Sequence, residues 1–240
     1  FLRGFGPSRF LHQKTFRDGR GVALAQDAIH LLDLLAIQRC TVVGHDWGAR
    51  AAYNLAAIAP HRLRAVIGLG LQYSPNGKFE ISGFEQARLW WYQWFMTTDK
   101  GAERVRQDPA GFARMQWETW SPAGWFDEED FSKTADSFFN SDWLAITLHA
   151  YRSRWKSEAV DARYDRQQSK IEQTGEIAVP LMTIVGSKDG ADVVHEVDDR
   201  EEYTKHNYEL MVLEGIGHFP AREAPEIVAP LVHSFLKRRG

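Results

Sequence analysis

Apolar residues recur along this chain at two spacings. Between Arg20 and Ile37 they fall every three or four residues, which predicts an amphipathic helix. Four shorter apolar runs predict buried strands: Cys40–Gly44, Leu63–Leu71, Pro180–Gly186 and Glu209–Leu213. Two more helices are predicted, Gly48–Ala59, ended by Pro60, and Ala224–Leu236, with an expected kink at Pro230. Strands alternating with helices indicate an α/β fold with a mostly parallel sheet.

The middle of the chain breaks this rhythm. Residues 74–176 show no strand pattern, hold eight of the nine tryptophans and include helical stretches over Phe84–Thr97 and Ser141–Trp155. We interpret 74–176 as a helical cap inserted after the strand that follows the Gly48–Ala59 helix. Residues 1–73 and 177–240 would form the core. An aromatic cap would also enclose a water-poor pocket.

Composition excludes several classes of function. The 240 residues suffice for one well-packed domain with an insertion. A net charge of −3 offers no basic surface for nucleic acid, and no apolar run reaches the ~18 residues that span a membrane. The single cysteine, Cys40, excludes an internal disulfide and predicts a buried thiol in a reducing, cytoplasmic setting. We expect a monomer or homodimer.

The most informative segment follows the first predicted strand and reads Gly44-His45-Asp46-Trp47-Gly48. Its glycine spacing is that of a nucleophile elbow, with aspartate in place of serine. Gly44 and Gly48 are expected to let strand and helix approach closely, which places Asp46 at a helix N-terminus that favours negative charge. A carboxylate nucleophile favours attack on a saturated carbon, giving an alkyl ester. Epoxides and organohalides are therefore the expected substrates.

With this motif, the chain resembles the aspartate-nucleophile branch of the α/β-hydrolase superfamily, which contains epoxide hydrolases and haloalkane and haloacetate dehalogenases. The opening residues 3–8 resemble a turn of that branch, and we expect a structural role for them. The resemblance implies Asp46 as nucleophile and His218, in Gly217-His218-Phe219-Pro220, as the base. It implies Asp189 as the acid, at the family's Gly-x-x-Asp spacing, with Asp192 as the alternative. No metal or organic cofactor is implied.

Two tyrosines favour the epoxide hydrolases within this branch. Epoxide hydrolases resemble one another in two cap tyrosines whose hydroxyls hold the epoxide oxygen. Tyr92 and Tyr151 lie 46 and 105 residues after Asp46, close to the offsets seen in those enzymes. The resemblance therefore implies catalytic roles for both tyrosines, a small apolar epoxide as substrate and a vicinal diol as product.

Two neighbours of Asp46 keep other functions open. A tryptophan at the position of Trp47 helps to hold halide in haloalkane dehalogenases, although epoxide hydrolases share it. Arg50 resembles an arginine that binds the substrate carboxylate in haloacetate dehalogenases. Those enzymes carry a second arginine where this chain has Trp47, so for Arg50 we favour a place on the helix surface or in a structural ion pair. The alternatives are a hydrolytic dehalogenase with the same triad and a non-catalytic member that binds small ligands.

One part of the family pattern does not occur in this chain. The family has earlier strands and a His-Gly-x-Pro loop that supplies one N–H to the oxyanion hole. The chain begins after these strands and contains no His-Gly-x-Pro. The chain is then either a fragment of a longer protein or, if it is the entire protein, forms a sheet without these strands and keeps only the Trp47 backbone N–H as an oxyanion donor. Loss of one such donor costs on the order of a hundredfold or more in rate.

Overall fold

The computed structural model describes residues 1–194 and 208–239, and a four-stranded parallel sheet lies at its centre. The strands are β1 (Cys40–His45), β2 (Leu63–Leu69), β3 (Leu181–Gly186) and β4 (Tyr208–Leu213). They lie side by side in chain order, and every neighbouring pair is parallel. The prediction of an α/β fold with a parallel sheet is confirmed.

Helices cover both faces of this sheet. α1 (Gly21–Leu34) and α2 (Trp47–Ile58) pack on one face, where Leu63, Val66 and Leu181 join their core. On the other face, Ile67 and Ile184 pack with Phe235 of the last long helix. Successive residues of a strand point to opposite faces, so a sheet buried on both sides needs continuous apolar strands. This explains the mostly apolar sequences of β2 and β3, whose residues are nearly all buried.

The segment of described residues between β2 and β3 contains helices and no strand, and two more helices follow β4. The helices of the connection are α3 (Phe84–Leu89), α4 (Trp91–Thr97), α5 (Asp99–Gln107), α6 (Pro109–Trp120), α7 (Glu128–Ala135), α8 (Trp143–Trp155) and α9 (Asp165–Gln173). The last two helices are α10 (Pro220–Glu223) and α11 (Pro225–Arg239). α4 and α8 pack against each other, and their aromatic residues form one cluster with Trp47 and Phe219. The division into core and cap stays a prediction.

Several predicted boundaries were wrong, for local reasons. The first helix ends at Leu34 rather than Ile37, because Ala36 adopts a positive φ of 53°. β2 ends at Leu69, because Gly70 turns the chain with a φ of 64°. The predicted helix Phe84–Thr97 is two helices that meet at Trp90. The predicted helix Ser141–Trp155 begins at Trp143.

Two further expectations concern single residues. Cys40 is partly rather than fully buried, because β1 lies at the edge of the described sheet. α11 includes Pro230 and continues through it to Arg239. Within residues 1–194 and 208–239, no helix is both long and apolar enough to cross a membrane.

Candidate active site

Asp46 occupies a sharp turn between β1 and α2. Its φ of 48° and ψ of −109° are unusual for a residue other than glycine, and such strain costs on the order of 1–3 kcal/mol. Two backbone hydrogen bonds hold the turn: the Asp46 N–H donates to the Leu69 carbonyl at 3.0 Å, and the Asp46 carbonyl accepts from the Arg50 N–H at 2.9 Å. The Asp46 side chain keeps 33% of its surface exposed, so a ligand can reach it.

Only one of the two elbow glycines allows the close approach that was expected. A Cβ on Gly44 would lie 2.2 Å from the carbonyl oxygen of Gly48, so a side chain there is incompatible with this packing. A Cβ on Gly48 would meet nothing within 4 Å. The prediction that the strand and the helix approach closely is therefore right at Gly44, where a side chain would clash. At Gly48 it is wrong, because a side chain would fit there and only the Gly48 backbone takes part in the contact.

The opening segment lies beside this elbow as a turn. Gly4 and Gly6 adopt positive φ values of 76° and 49°. Arg3 donates to the Asp27 carboxylate at 2.6 and 2.5 Å, which ties the turn to α1. The ring of Phe5 packs edge-on against Trp47 at 5.8 Å.

His218 lies between two carboxylates. Its Nδ1 is 2.9 Å from Asp189 Oδ2, and its Nε2 is 4.0 Å from Asp46 Oδ1. The second distance is too long for a direct hydrogen bond, and Nε2 is buried without a partner among the described residues. The imidazole is therefore held on the Asp189 side, with its other nitrogen facing Asp46.

The structure brings Asp189, rather than Asp192, to the histidine. Asp189 Oδ1 accepts the N–H groups of Ala191 and Asp192 at 2.7 and 3.3 Å, which leaves Oδ2 for the imidazole. The Asp192 carboxylate instead accepts the N–H of Val193 at 2.9 Å. Burial and the nearby Asp189 charge raise the pKa of Asp192 to about 6.

Opposing influences set the charge of the base. Burial alone lowers the pKa of His218, but the charge and hydrogen bond of Asp189 and then the charge of Asp46 raise it, to about 9. The site therefore stabilises the imidazolium strongly while both carboxylates are ionised.

Tyr92 and Tyr151 meet at the aromatic cluster, with ring centroids 5.4 Å apart and planes at 88°. The Tyr151 hydroxyl accepts the indole N–H of Trp47 at 3.2 Å, and the Tyr92 hydroxyl accepts the Gln93 side-chain amide at 3.2 Å. Each hydroxyl oxygen already accepts one hydrogen bond, so its own hydrogen remains available to donate.

Both tyrosines stay protonated at neutral pH. Burial and the Asp46 charge raise the pKa of Tyr151 to about 12. Burial, followed by the neighbouring Tyr151 and Asp46, raises the pKa of Tyr92 well above its ordinary value. The Asp46 charge therefore acts on both phenols.

Arg50 differs from expectation. It makes no ion pair with any described residue, and its buried Nε lacks a partner there. Its guanidinium instead lies 4.1 Å from the ring centroid of Phe79. Burial and the charge of Arg154 lower the pKa of Arg50 to about 10. Among the described residues, Arg50 therefore has an aromatic partner and no ion pair, and its part in substrate binding stays a prediction.

Sequence reasoning missed Arg154 and His45. The Arg154 guanidinium lies 4.8 Å from the Tyr151 ring centroid and also donates to the side-chain Oε1 of Gln93 at 3.2 Å. Its position one helical turn after Tyr151 was an available signal. His45 bonds through Nε2 to the His218 carbonyl at 2.8 Å. Nothing in the sequence marks that long-range contact.

The family of this fold follows from a direct comparison. A profile described as the alpha/beta hydrolase fold matches residues 2–225, so the chain belongs to the α/β-hydrolase fold family. Relatives of the chain include several epoxide hydrolases. An epoxide hydrolase from Caballeronia sordidicola is 47% identical over 62 residues, which cover 26% of this chain and 18% of the relative. Epoxide hydrolase 2 from Siraitia grosvenorii is 26% identical over 276 residues, covering 99% of this chain and 81% of the relative.

A solved structure agrees over nearly the whole chain. A Klebsiella pneumoniae protein, provisionally assigned as an epoxide hydrolase, is 32% identical with a TM-score of 0.88. The match covers 98% of this chain and 78% of that protein. The chain thus spans under a fifth of the Caballeronia enzyme and about four fifths of the other two proteins.

Proposed function

We propose that this chain opens epoxides to vicinal diols through an alkyl ester on Asp46. The observation that carries the proposal is the pair of buried tyrosines, Tyr92 and Tyr151, whose rings lie 5.4 Å apart and which are tied to the elbow by the hydrogen bond from the Trp47 indole to Tyr151. A carboxylate facing two phenol donors suits a strained ring that needs a nucleophile at carbon and a proton at oxygen. The epoxide hydrolases among the relatives support the same reaction.

In the first step, a carboxylate oxygen of Asp46 bonds to one ring carbon as the bond from that carbon to the epoxide oxygen breaks. Tyr92 and Tyr151 donate hydrogen bonds to the oxygen as it gains charge. One of them transfers its proton, giving a hydroxyl on the substrate and a transient phenolate. The indole N–H of Trp47 donates to the Tyr151 oxygen, and the side-chain amide of Gln93 donates to the Tyr92 oxygen. These two hydrogen bonds fix the direction in which each phenol donates its own hydrogen.

In the second step, His218 Nε2 takes a proton from water, and the hydroxide adds to the ester carbonyl of Asp46. Asp189 holds the imidazole so that Nε2 is the free base, and stabilises the imidazolium that forms. The Trp47 backbone N–H, at the start of α2, lacks an acceptor within the helix and would stabilise the oxyanion. Collapse breaks the bond between the carbonyl carbon and the alkoxide oxygen of the product. The alkoxide takes the proton of the carboxylic acid left on Asp46, which restores the carboxylate and releases the diol, and the phenolate regains its proton from the imidazolium.

Esterification itself tunes the base. The charge of Asp46 is one cause of the raised pKa of His218, and the ester has no charge. Formation of the ester therefore lowers the pKa of His218 at the stage when the neutral imidazole is needed.

A second candidate is hydrolytic dehalogenation by the same triad. It is favoured by Arg50, whose guanidinium has no carboxylate partner among the described residues and could bind a haloacid. It is disfavoured because the Trp47 indole N–H, the expected halide donor, is already bonded to Tyr151.

Trapping the intermediate tests both candidates. The variant His218→Gln should still form the ester but not hydrolyse it. We would expose it to aryl and alkyl epoxides and to haloalkanoates, then measure intact mass and map the modified peptide. An adduct on Asp46 with the whole epoxide mass supports the proposal, and a haloalkanoate adduct lacking the halide supports dehalogenation. The double variant Asp46→Asn, His218→Gln lacks the nucleophile and serves as the control that forms no ester. If His218→Gln likewise forms no adduct with any compound, the result would favour a binding protein.

A further inference from the structure

Three consecutive backbone N–H groups around the base converge on two side chains. The Gly217 N–H donates to Glu223 Oε2 at 2.7 Å, and the Phe219 N–H donates to Glu223 Oε1 at 2.8 Å. Between them, the His218 N–H donates to Ser121 Oγ at 2.9 Å. The Ser121 hydroxyl in turn donates to Glu223 Oε1 at 2.7 Å. One carboxylate thus satisfies the whole segment, directly or through Ser121.

This network links the base to a distant part of the chain. Ser121 follows directly after α6, which belongs to the connection between β2 and β3. The preceding carbonyl, that of Trp120, accepts the N–H of His218 at 3.1 Å and the N–H of Gly190 at 3.0 Å. Gly190 is the neighbour of Asp189, so the end of α6 contacts the loops of both the base and its acid.

Two glycines make this contact possible. A Cβ on Gly217 would lie 2.3 Å from Ser121 Oγ, and a Cβ on Gly190 would lie 2.2 Å from the Thr119 carbonyl oxygen. Both positions exclude a side chain unless the end of α6 moves away. The Trp120 ring completes the contact, with its centroid 4.9 Å from that of His218.

We propose that Glu223, acting through Ser121 and the three N–H groups, is a positioning residue that holds the His218 imidazole between Asp189 and Asp46. The proposal rests on the role of His218 as the base in the proposed function. Hydrogen bonds to a carboxylate are stronger than those between neutral groups, so this one charge can fix a loop that neutral bonds would leave looser. Since misplacement of about 1 Å can cost on the order of 100-fold in rate, such a tether matters for the step that uses the base.

Glu223→Gln is the informative variant. Glutamine keeps the size of the side chain, but its NH₂ group replaces one of the two oxygens that accept hydrogen bonds from backbone N–H groups. At least one of these hydrogen bonds is therefore lost. We expect hydrolysis of the ester to slow by at least about tenfold, while ester formation stays within about twofold. Ser121→Ala should show a smaller effect of the same kind, because the Trp120 carbonyl still accepts the His218 N–H. Glu226→Gln, on the exposed surface of α11, is the matched control and should change neither step.

Two readouts separate positioning from a purely structural role. Quenched single turnovers followed by intact mass give the rates of ester formation and hydrolysis, and NMR titration gives the pKa of His218 without any substrate. We expect this pKa to fall in Glu223→Gln by about one unit or more, because pairing with Asp189 loosens. An unchanged rate ratio together with an unchanged His218 pKa would overturn the proposal, even if thermal stability falls.

The same design distinguishes failure of the proposed function. If the wild-type protein forms no ester from any epoxide, the proposed reaction is wrong, and the NMR titration alone decides whether Glu223 positions His218. If Glu223→Gln does not fold, Ser121→Ala decides by the same two readouts: a lowered His218 pKa supports the proposal, and an unchanged pKa rejects it.

Discussion

Replacing Asp189 with asparagine should separate the two chemical steps. Oδ1 of Asp189 accepts two backbone N–H groups, so the carbonyl oxygen of an asparagine would take that position. The asparagine NH₂ group would then face His218 Nδ1 and donate to it. The imidazole would carry its proton on Nε2, where it cannot accept a proton from water. Ester formation, which does not use the base, should continue.

The size of the effect follows from the charge that is removed. Asp189 supplies the two largest contributions that raise the pKa of His218 to about 9, against burial, which lowers it. A return to the ordinary value of 6.5 would be a drop of ~2.5 units, or about 3 kcal/mol of imidazolium stabilisation. This corresponds to roughly a 300-fold loss in the hydrolysis rate, and the wrong tautomer could extend it towards the order of 10⁴.

Stopped-flow fluorescence is a suitable assay, because Trp47 and Trp120 contact the site. A burst of ester formation should be followed by decay slowed at least about 100-fold, with Asp192→Asn as the matched control within about fivefold. A decay slowed less than tenfold in Asp189→Asn, or an equal loss in both variants, would refute the assignment of the acid.

Three further predictions concern other parts of the site. Tyr151→Phe and Tyr92→Phe should each slow ester formation by about 10- to 100-fold in single turnovers, and the double variant by more; equal slowing of hydrolysis would contradict the donor role. Gly44→Ala should lower the free energy of unfolding by about 1–3 kcal/mol in urea, whereas Gly48→Ala, where a Cβ meets open space, should be neutral or stabilising. Because the folded-state pKa of His218 is raised from 6.5 to about 9, its contribution to stability is complete below pH 6.5 and is lost as the pH rises through 9. Thermal melts from pH 6 to 9.5 should therefore fall more steeply for the wild type than for His218→Gln.

Local patterns predicted the sheet and the motifs well. Each strand is short and mostly apolar, and β2 and β3 are buried along nearly their whole length, so their residues alone indicate them. The elbow combines a strand, a tight turn and a helix within ten residues, which explains why Asp46 could be located without the structure. Helix ends were less predictable, because the positive φ of Ala36 and the break at Trp90 have no local sequence signal.

Contacts between distant segments could not be predicted. The Arg50 guanidinium contacts the Phe79 ring. The backbone of the His218 segment is held by hydrogen bonds to Ser121 and Glu223. Phe79 and Ser121 reach these positions through the β2–β3 connection, whereas Glu223 lies in α10, four residues after Phe219. A single sequence shows which residue types are present but not which of them meet.

A single turnover in heavy-oxygen water tests the central claim most directly. With enzyme in excess over an epoxide that it hydrolyses, the first diol should carry no label, because its new oxygen comes from Asp46. The label should instead appear in the peptide that contains Asp46. Label in the first diol and none in the peptide would show that water attacks the epoxide itself, and would contradict the covalent mechanism.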